Sequence, residues 1–195
     1  MIYALSESRG SGEVAGLRQL AQAGVPVTAT WVLEGLEEEF YALNNLPEQI
    51  SRAFAGVFGI RVDEERLEAA SAIAQQAVRQ NYLLPERSEK LISALGLGPF
   101  AVRYAGELVF AVAPQAQEAV WAVKRLWASC WEIDAVLERS PNLAPPDRPT
   151  LIQRLPETPV LNPELSRQAS LILGCETVAW TSRDVVVQLK STTYD

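Results

Sequence analysis

Histidine is absent from this chain. That removes imidazole bases, histidine metal ligands, serine–histidine triads and phosphohistidine chemistry together. Acid–base work would fall to carboxylates, lysine, tyrosine or cysteine. Cys130 and Cys175 lie far apart and form no CxxC pair, so they suggest neither a zinc ribbon nor a redox couple, but two reduced thiols. Carboxylates cluster at Glu37-Glu38-Glu39 and Asp63-Glu64-Glu65. Nothing singles these out for hydrolysis; solvated helix faces and partners of a helix N-terminal dipole are the expected roles. Gly10-Ser11-Gly12 lacks the lysine of a P-loop and the spacing of a dinucleotide fingerprint, and reads as a flexible turn.

The elements that must position such groups follow from composition and period. The chain has 195 residues, 48% hydrophobic and 21% charged, enough to bury a core and too apolar for disorder. A net charge of −7 argues against a general nucleic-acid binder, which needs a basic face. No run of about 18 apolar residues spans a membrane, and the apolar lead after Met1 is too short for a signal peptide. A cytoplasmic protein is expected.

Residues 12–23 read as a helix with Val14, Leu17, Leu20 and Ala21 on one stripe, stopped by Gly24. Val27–Leu33 suits a strand. Helices are expected over Glu34–Leu43, from Pro47 to Phe58, over residues 64–80 behind an Asp63 cap, and from Pro85 to near Gly96. Two short strands, 99–104 and 108–112, flank a turn at Ala105-Gly106-Glu107. Gln117–Trp131 is an amphipathic helix whose Trp121, Trp127 and Trp131 are either core or an exposed docking face; Ile133–Leu137 continues helically. Ser140–Pro149, with four prolines, is a linker. Thr150–Leu155, Ser170–Leu173 and Asp184–Leu189 read as extended. The expected class is α+β.

Four segments, in order, resemble the nucleotide-binding domain of phosphoenolpyruvate synthase and pyruvate phosphate dikinase. Gly12-Glu13-Val14-Ala15-Gly16-Leu17 followed by Ala23-Gly24-Val25-Pro26-Val27 is similar to that family's G-G-K-G-A-x-L and A-G-[ILV]-P-V. Phe100-Ala101-Val102-Arg103 resembles A-V-R-S-S, and Tyr104–Val112 resembles S-F-A-G-Q-x-x-T-F-L-N-V. Glu118–Trp131 is similar to the A-[IV]-[KR]-x-[CV]-W-A-S-[LV]-[WF] helix, the most specific match. Leu151-Ile152-Gln153-Arg154-Leu155 resembles the V-V-[VI]-Q-[RK]-M-V strand, and Ala169–Asp195 more weakly resembles the strands that follow. The resemblance implies an ATP-grasp-like fold of two lobes: lobe 1 over about 1–140, a linker at 141–149 and lobe 2 over about 150–195. It also implies that Arg103 would reach ATP phosphates and that Gln153, Arg154 and Leu155 would lie against adenine. The plainer alternatives are an arginine paired with an acidic neighbour and a buried strand.

Three departures bear on activity. The family lysine that meets ATP phosphates is replaced by Glu13. At about 4 Å and an effective dielectric of about 20, one such interaction is worth roughly 4 kcal/mol, and its sign is inverted. The loop between the family's V-R-S-S and F-A-G is missing, because Arg103 runs directly into Tyr104-Ala105-Gly106. The family's acidic metal ligands and its late Q-x-R strand would lie beyond Asp195. The expectation is a non-catalytic relative that binds a protein partner in regulation or assembly, with no nucleic acid and no membrane. The alternative is a nucleotide-binding module or kinase-type subunit retaining ATP or AMP, with Mg²⁺ only if a nucleotide binds.

Overall fold

A computed structural model describes residues 1–140 and 142–191; Pro141 of the expected linker and the last four residues of the Ala169–Asp195 stretch lie outside the described residues. The class is α+β, with eight helices and two antiparallel sheets among the described residues. The first sheet runs β1 (Ile2–Ala4), β2 (Thr30–Leu33), β5 (Thr150–Arg154), β3 (Phe100–Tyr104), β4 (Ala111–Ala113) in spatial order. The second runs β6 (Val160–Leu161), β7 (Thr177–Ser182), β8 (Val185–Ser191). They meet at a parallel bridge between Val27 and Val186, where Thr28 N donates to Val186 O at 2.9 Å and Val186 N to Pro26 O at 2.8 Å.

The helices are α1 (Gly12–Gln22), α2 (Leu36–Leu43), α3 (Leu46–Ala53), α4 (Glu64–Gln80), α5 (Pro85–Leu95), α6 (Ala116–Ser129), α7 (Ile133–Arg139) and α8 (Pro163–Leu173). Local chemistry sets several ends as the sequence indicates. Asp63 caps α4 by accepting from Arg66 N at 3.1 Å. Gly24, at φ +84°, turns the chain out of α1 while Val25 N returns to Leu20 O at 3.0 Å.

Two expectations are corrected. Ser170–Leu173 is the end of α8, not an extended stretch. The Asn162 side chain accepts from Leu165 N at 3.0 Å and Pro163 opens the first turn, so a capped helix overrides the local apolar run. Thr150–Arg154, expected to open the second lobe, pairs with both β2 and β3 inside the first sheet.

The two-residue period of this sheet sorts its side chains into two cores. On one face Phe100 and Val102 of β3 and Ile152 of β5 pack against α2–α7, where Phe40, Trp127 and Trp131 are buried. On the other face Val32 and Leu151, a cross-strand pair, pack with Val14, Leu17 and Leu20 of α1 and with Ala179, Val186 and Leu189 of the second sheet. Trp127 and Trp131 are therefore core, while Trp121 is exposed.

Candidate functional site

Strand alternation dictates where the expected site residues go. Ala101 and Gln153 are register partners in β3 and β5, as are Thr30 and Gln153 in β2 and β5. Gln153 and Arg103 thus share the face that looks toward α1 and the second sheet. Glu13, in the first turn of α1, arrives there from the opposite side.

The three residues converge, and they converge on one another. Arg103 is 0% exposed and Glu13 3% exposed. The guanidinium forks onto the carboxylate: Nη1 donates to Glu13 Oε2 at 2.6 Å and Nη2 to Glu13 Oε1 at 2.8 Å. Its Nε donates to Gln153 Oε1 at 2.9 Å. The remaining N–H capacity goes to carbonyls of Tyr104, Glu107 and Val187 at 3.2–3.3 Å. Gln153 Nε2 in turn donates to Val187 O at 2.6 Å and to Thr30 Oγ1 at 3.1 Å.

Glu13 receives two further donors from backbone. Gly106 N donates to Oε2 at 2.7 Å and Leu189 N to Oε1 at 2.8 Å. The tight turn after β3 explains the first: Gly106 takes φ +84°, where a side chain is strained, and this aims its N–H at the carboxylate. Four N–H groups, two from Arg103 of β3, one from the turn after it and one from β8, thus enclose one carboxylate. This is an anion cradle, and the anion in it is the chain's own. The plainer expectation for Arg103, pairing with an acidic neighbour, is what the geometry displays.

Arg154 and Leu155 do not join the cluster. Arg154 is exposed and its Nη2 donates to Leu97 O at 2.6 Å. Arg154 N donates to Ala29 O at 2.9 Å, its carbonyl accepts from Thr28 Oγ1 at 2.6 Å, and Leu155 N donates to Pro99 O at 3.0 Å. The backbone groups that a base would have to meet along this strand are therefore already engaged within the fold. Leu155 packs with Ala101 and Val187.

A cleft of about 700 Å³ opens beside the pair, lined by Ser11, Gly12, Gly106, Asp147, Arg148 and Lys190. Three basic residues line it: Arg139, which donates to the Ala135, Ala144 and Cys130 carbonyls, Arg148, which is paired with Glu107, and the exposed Lys190. Among the described residues no group of acidic or cysteine side chains could hold a metal ion, and no helix is long and apolar enough to cross a membrane.

A second polar cluster escaped the sequence reading. Glu37 was expected on a solvated helix face but is 8% exposed. It lies on the same stripe of α2 as Leu36, Phe40 and Tyr41, and that spacing was the available signal. Its two oxygens share one hydroxyl, Tyr104 Oη, at 3.0 and 3.1 Å. Burial pushes the Glu37 carboxyl up from 4.5 to about 8, against the lowering effect of that hydrogen bond. Tyr41 accepts from Trp131 Nε1 at 2.6 Å in the same core. Burial raises the Tyr104 and Tyr41 hydroxyls, with Glu37 adding to both, and pushes the Cys130 thiol up to about 12. A thiol so placed is inert at neutral pH.

No protein-family model matches this chain, and no curated protein matches it. Function therefore rests on the site's own chemistry.

Proposed function

We propose that this chain is a non-catalytic, phosphoenolpyruvate-synthase-like domain that works by binding a protein partner in regulation or assembly. One observation carries the reading: the arginine that would meet phosphates in the resembling family is neutralised by Glu13, which stands at that family's lysine position. A phosphate approaching Arg103 would have to displace a carboxylate held by four N–H donors. Phosphoryl transfer depends on cations and metal ions that neutralise the phosphates, and this cluster offers no uncompensated cation. The ATP-grasp-like fold belongs to the same proposal. A partner surface is supported by side chains left outside: Tyr82 and Trp121, and Leu108, Phe110 and Val112 around the edge strand β4.

The test is an ATP-dependent phosphotransfer assay on the whole chain with and without Mg²⁺. No turnover is expected. Robust transfer abolished by Arg103→Ala would overturn the proposal. The open cleft beside Glu13 favours a second reading, residual ATP or AMP binding without transfer. That reading requires adenine nucleotides at millimolar concentration to raise the melting temperature by mass action; an unchanged Tm removes it.

A further inference from the structure

A different cavity shares no lining residue with the cleft beside Glu13. It lies between the C-terminal half of α1, the end of β1 and the segment that runs from Val27 into β2. It holds about 440 Å³, and its walls are largely apolar: Leu5, Ala21, Val27, Ala29 and Trp31. Small-molecule sites are typically clefts of roughly 300–1,000 Å³ with apolar walls and a few placed polar groups that fix orientation.

The polar group that decides the ligand is Arg18. It is half-buried on the cavity wall, and one Nη donates to the Ser8 carbonyl. Seven other arginines form ion pairs: Arg52, Arg66, Arg87, Arg103, Arg148, Arg167 and Arg183. Arg18, like Arg9, Arg61, Arg79, Arg125, Arg139 and Arg154, forms none among the described residues, although the chain carries a net charge of −7; of these, Arg18 alone lines this cavity. A carbonyl satisfies a hydrogen-bond donor but does not compensate a charge. An apolar trough with an uncompensated guanidinium on its wall has the complement of an amphiphilic anion. A carboxylate suits it best, because guanidinium and carboxylate match as planar forks.

We propose that this groove binds a free small-molecule monocarboxylate with an apolar tail, its carboxylate on Arg18 and its tail along Val27, Ala29 and Trp31. The site is independent of the non-catalytic reading above. It also touches the segment that joins the two sheets, since Thr28 and Thr30 line it and bond to Val186, Arg154 and Gln153.

Calorimetric titration and thermal shift with octanoate, octanol and octylamine test the site on the whole chain, Arg18→Gln and Ala21→Phe. Octanoate should bind saturably and raise Tm. Octanol should bind about ten-fold more weakly, the worth of a charge-assisted hydrogen bond, and octylamine more weakly still. Arg18→Gln should bring octanoate down to the octanol level. Ala21 is exposed on the groove wall, so Ala21→Phe should fold normally and abolish binding of both. Octanoate affinity unchanged by Arg18→Gln, equal affinity for octanol, or no saturation at millimolar octanoate in the folded parent would each overturn the proposal. Tighter binding of a leucine-terminated peptide than of octanoate would overturn its assignment to a free amphiphile.

Discussion

Glu13 and Glu37 are both buried carboxylates, and they are met by successive residues of one strand. Arg103 points from β3 to one face and reaches Glu13; Tyr104 points to the other and reaches Glu37. The surroundings differ in donors rather than in burial. Glu13 has a guanidinium fork and two backbone N–H groups. Glu37 has a single phenol hydroxyl divided between its oxygens, and burial pushes it up to about 8. Burying a carboxylate sets a cost, and the number and charge of the donors decide whether the group meets it ionised or by keeping its proton.

The largest test of this contrast is Glu13→Lys, which restores the residue type of the resembling family. It sets an ammonium against the buried Arg103 guanidinium and two backbone N–H donors, and removes the carboxylate that all of them meet. Breaking a buried pair by removing one partner typically costs about 3–5 kcal/mol, and adding a like charge costs more. Domains are stable by roughly 5–15 kcal/mol, so the variant should be largely unfolded by circular dichroism at 25 °C. A folded Glu13→Lys within about 1 kcal/mol of the parent would mean that the cradle is not a carboxylate site. Next in size is Arg103→Met, which leaves Glu13 buried on its two backbone donors. A loss of about 3–5 kcal/mol in urea denaturation is expected; a loss under about 1 kcal/mol would reduce the pair to the standing of a surface ion pair.

Glu37 sharpens the contrast through pH. The folded carboxyl keeps its proton to about pH 8, whereas the unfolded chain releases it near 4.5. Between those values the folded state binds the extra proton. The group's contribution to stability therefore falls as pH rises, by up to about 1.4 kcal/mol per pH unit, and levels off above about pH 8. Glu37→Gln keeps the shape and cannot ionise. Urea midpoints of parent and variant should nearly coincide at about pH 4.5 and separate steadily toward about pH 8, with the variant more stable. A separation that does not change with pH would show that Glu37 is ionised in its pocket.

Much of the scaffold was legible in the sequence, because helices with caps and stops carry their own signals. Asp63 before α4, Gly24 after α1 and Pro85 at the start of α5 act through a few neighbouring residues. Strand order was not legible. Nothing in Thr150–Arg154 announces that it inserts between β2 and β3, since that depends on partners more than 40 positions away, such as Gln153 with Ala101 and Thr30. The site was half legible for the same reason. Glu13, Arg103 and Gln153 were picked out by the motifs that resemble the phosphoenolpyruvate synthase family, but that Glu13 fills the cradle rather than leaving it open depends on Gly106 and Leu189 amides. Backbone donors leave no trace in residue type. Glu37 was misjudged because three adjacent glutamates read as one solvated run, whereas a helix turns each of them to a different direction.

Ser71 extends the series to a buried polar group with no partner at all. It is 2% exposed within α4, and its Oγ has no hydrogen-bond partner among the described residues. If donors and acceptors rather than burial decide the balance, removing this hydroxyl should do the opposite of removing the Glu13 carboxylate. Ser71→Ala deletes one atom, leaves no space worth a methyl group, relieves an unpaired polar group and gains helix propensity of about 0.5 kcal/mol. The expected result is a gain of about 0.5–1 kcal/mol, read as a higher urea midpoint with an unchanged slope. A destabilised Ser71→Ala would mean that the hydroxyl is bonded in solution, and that the ordering from four donors to one to none no longer tracks what each group contributes.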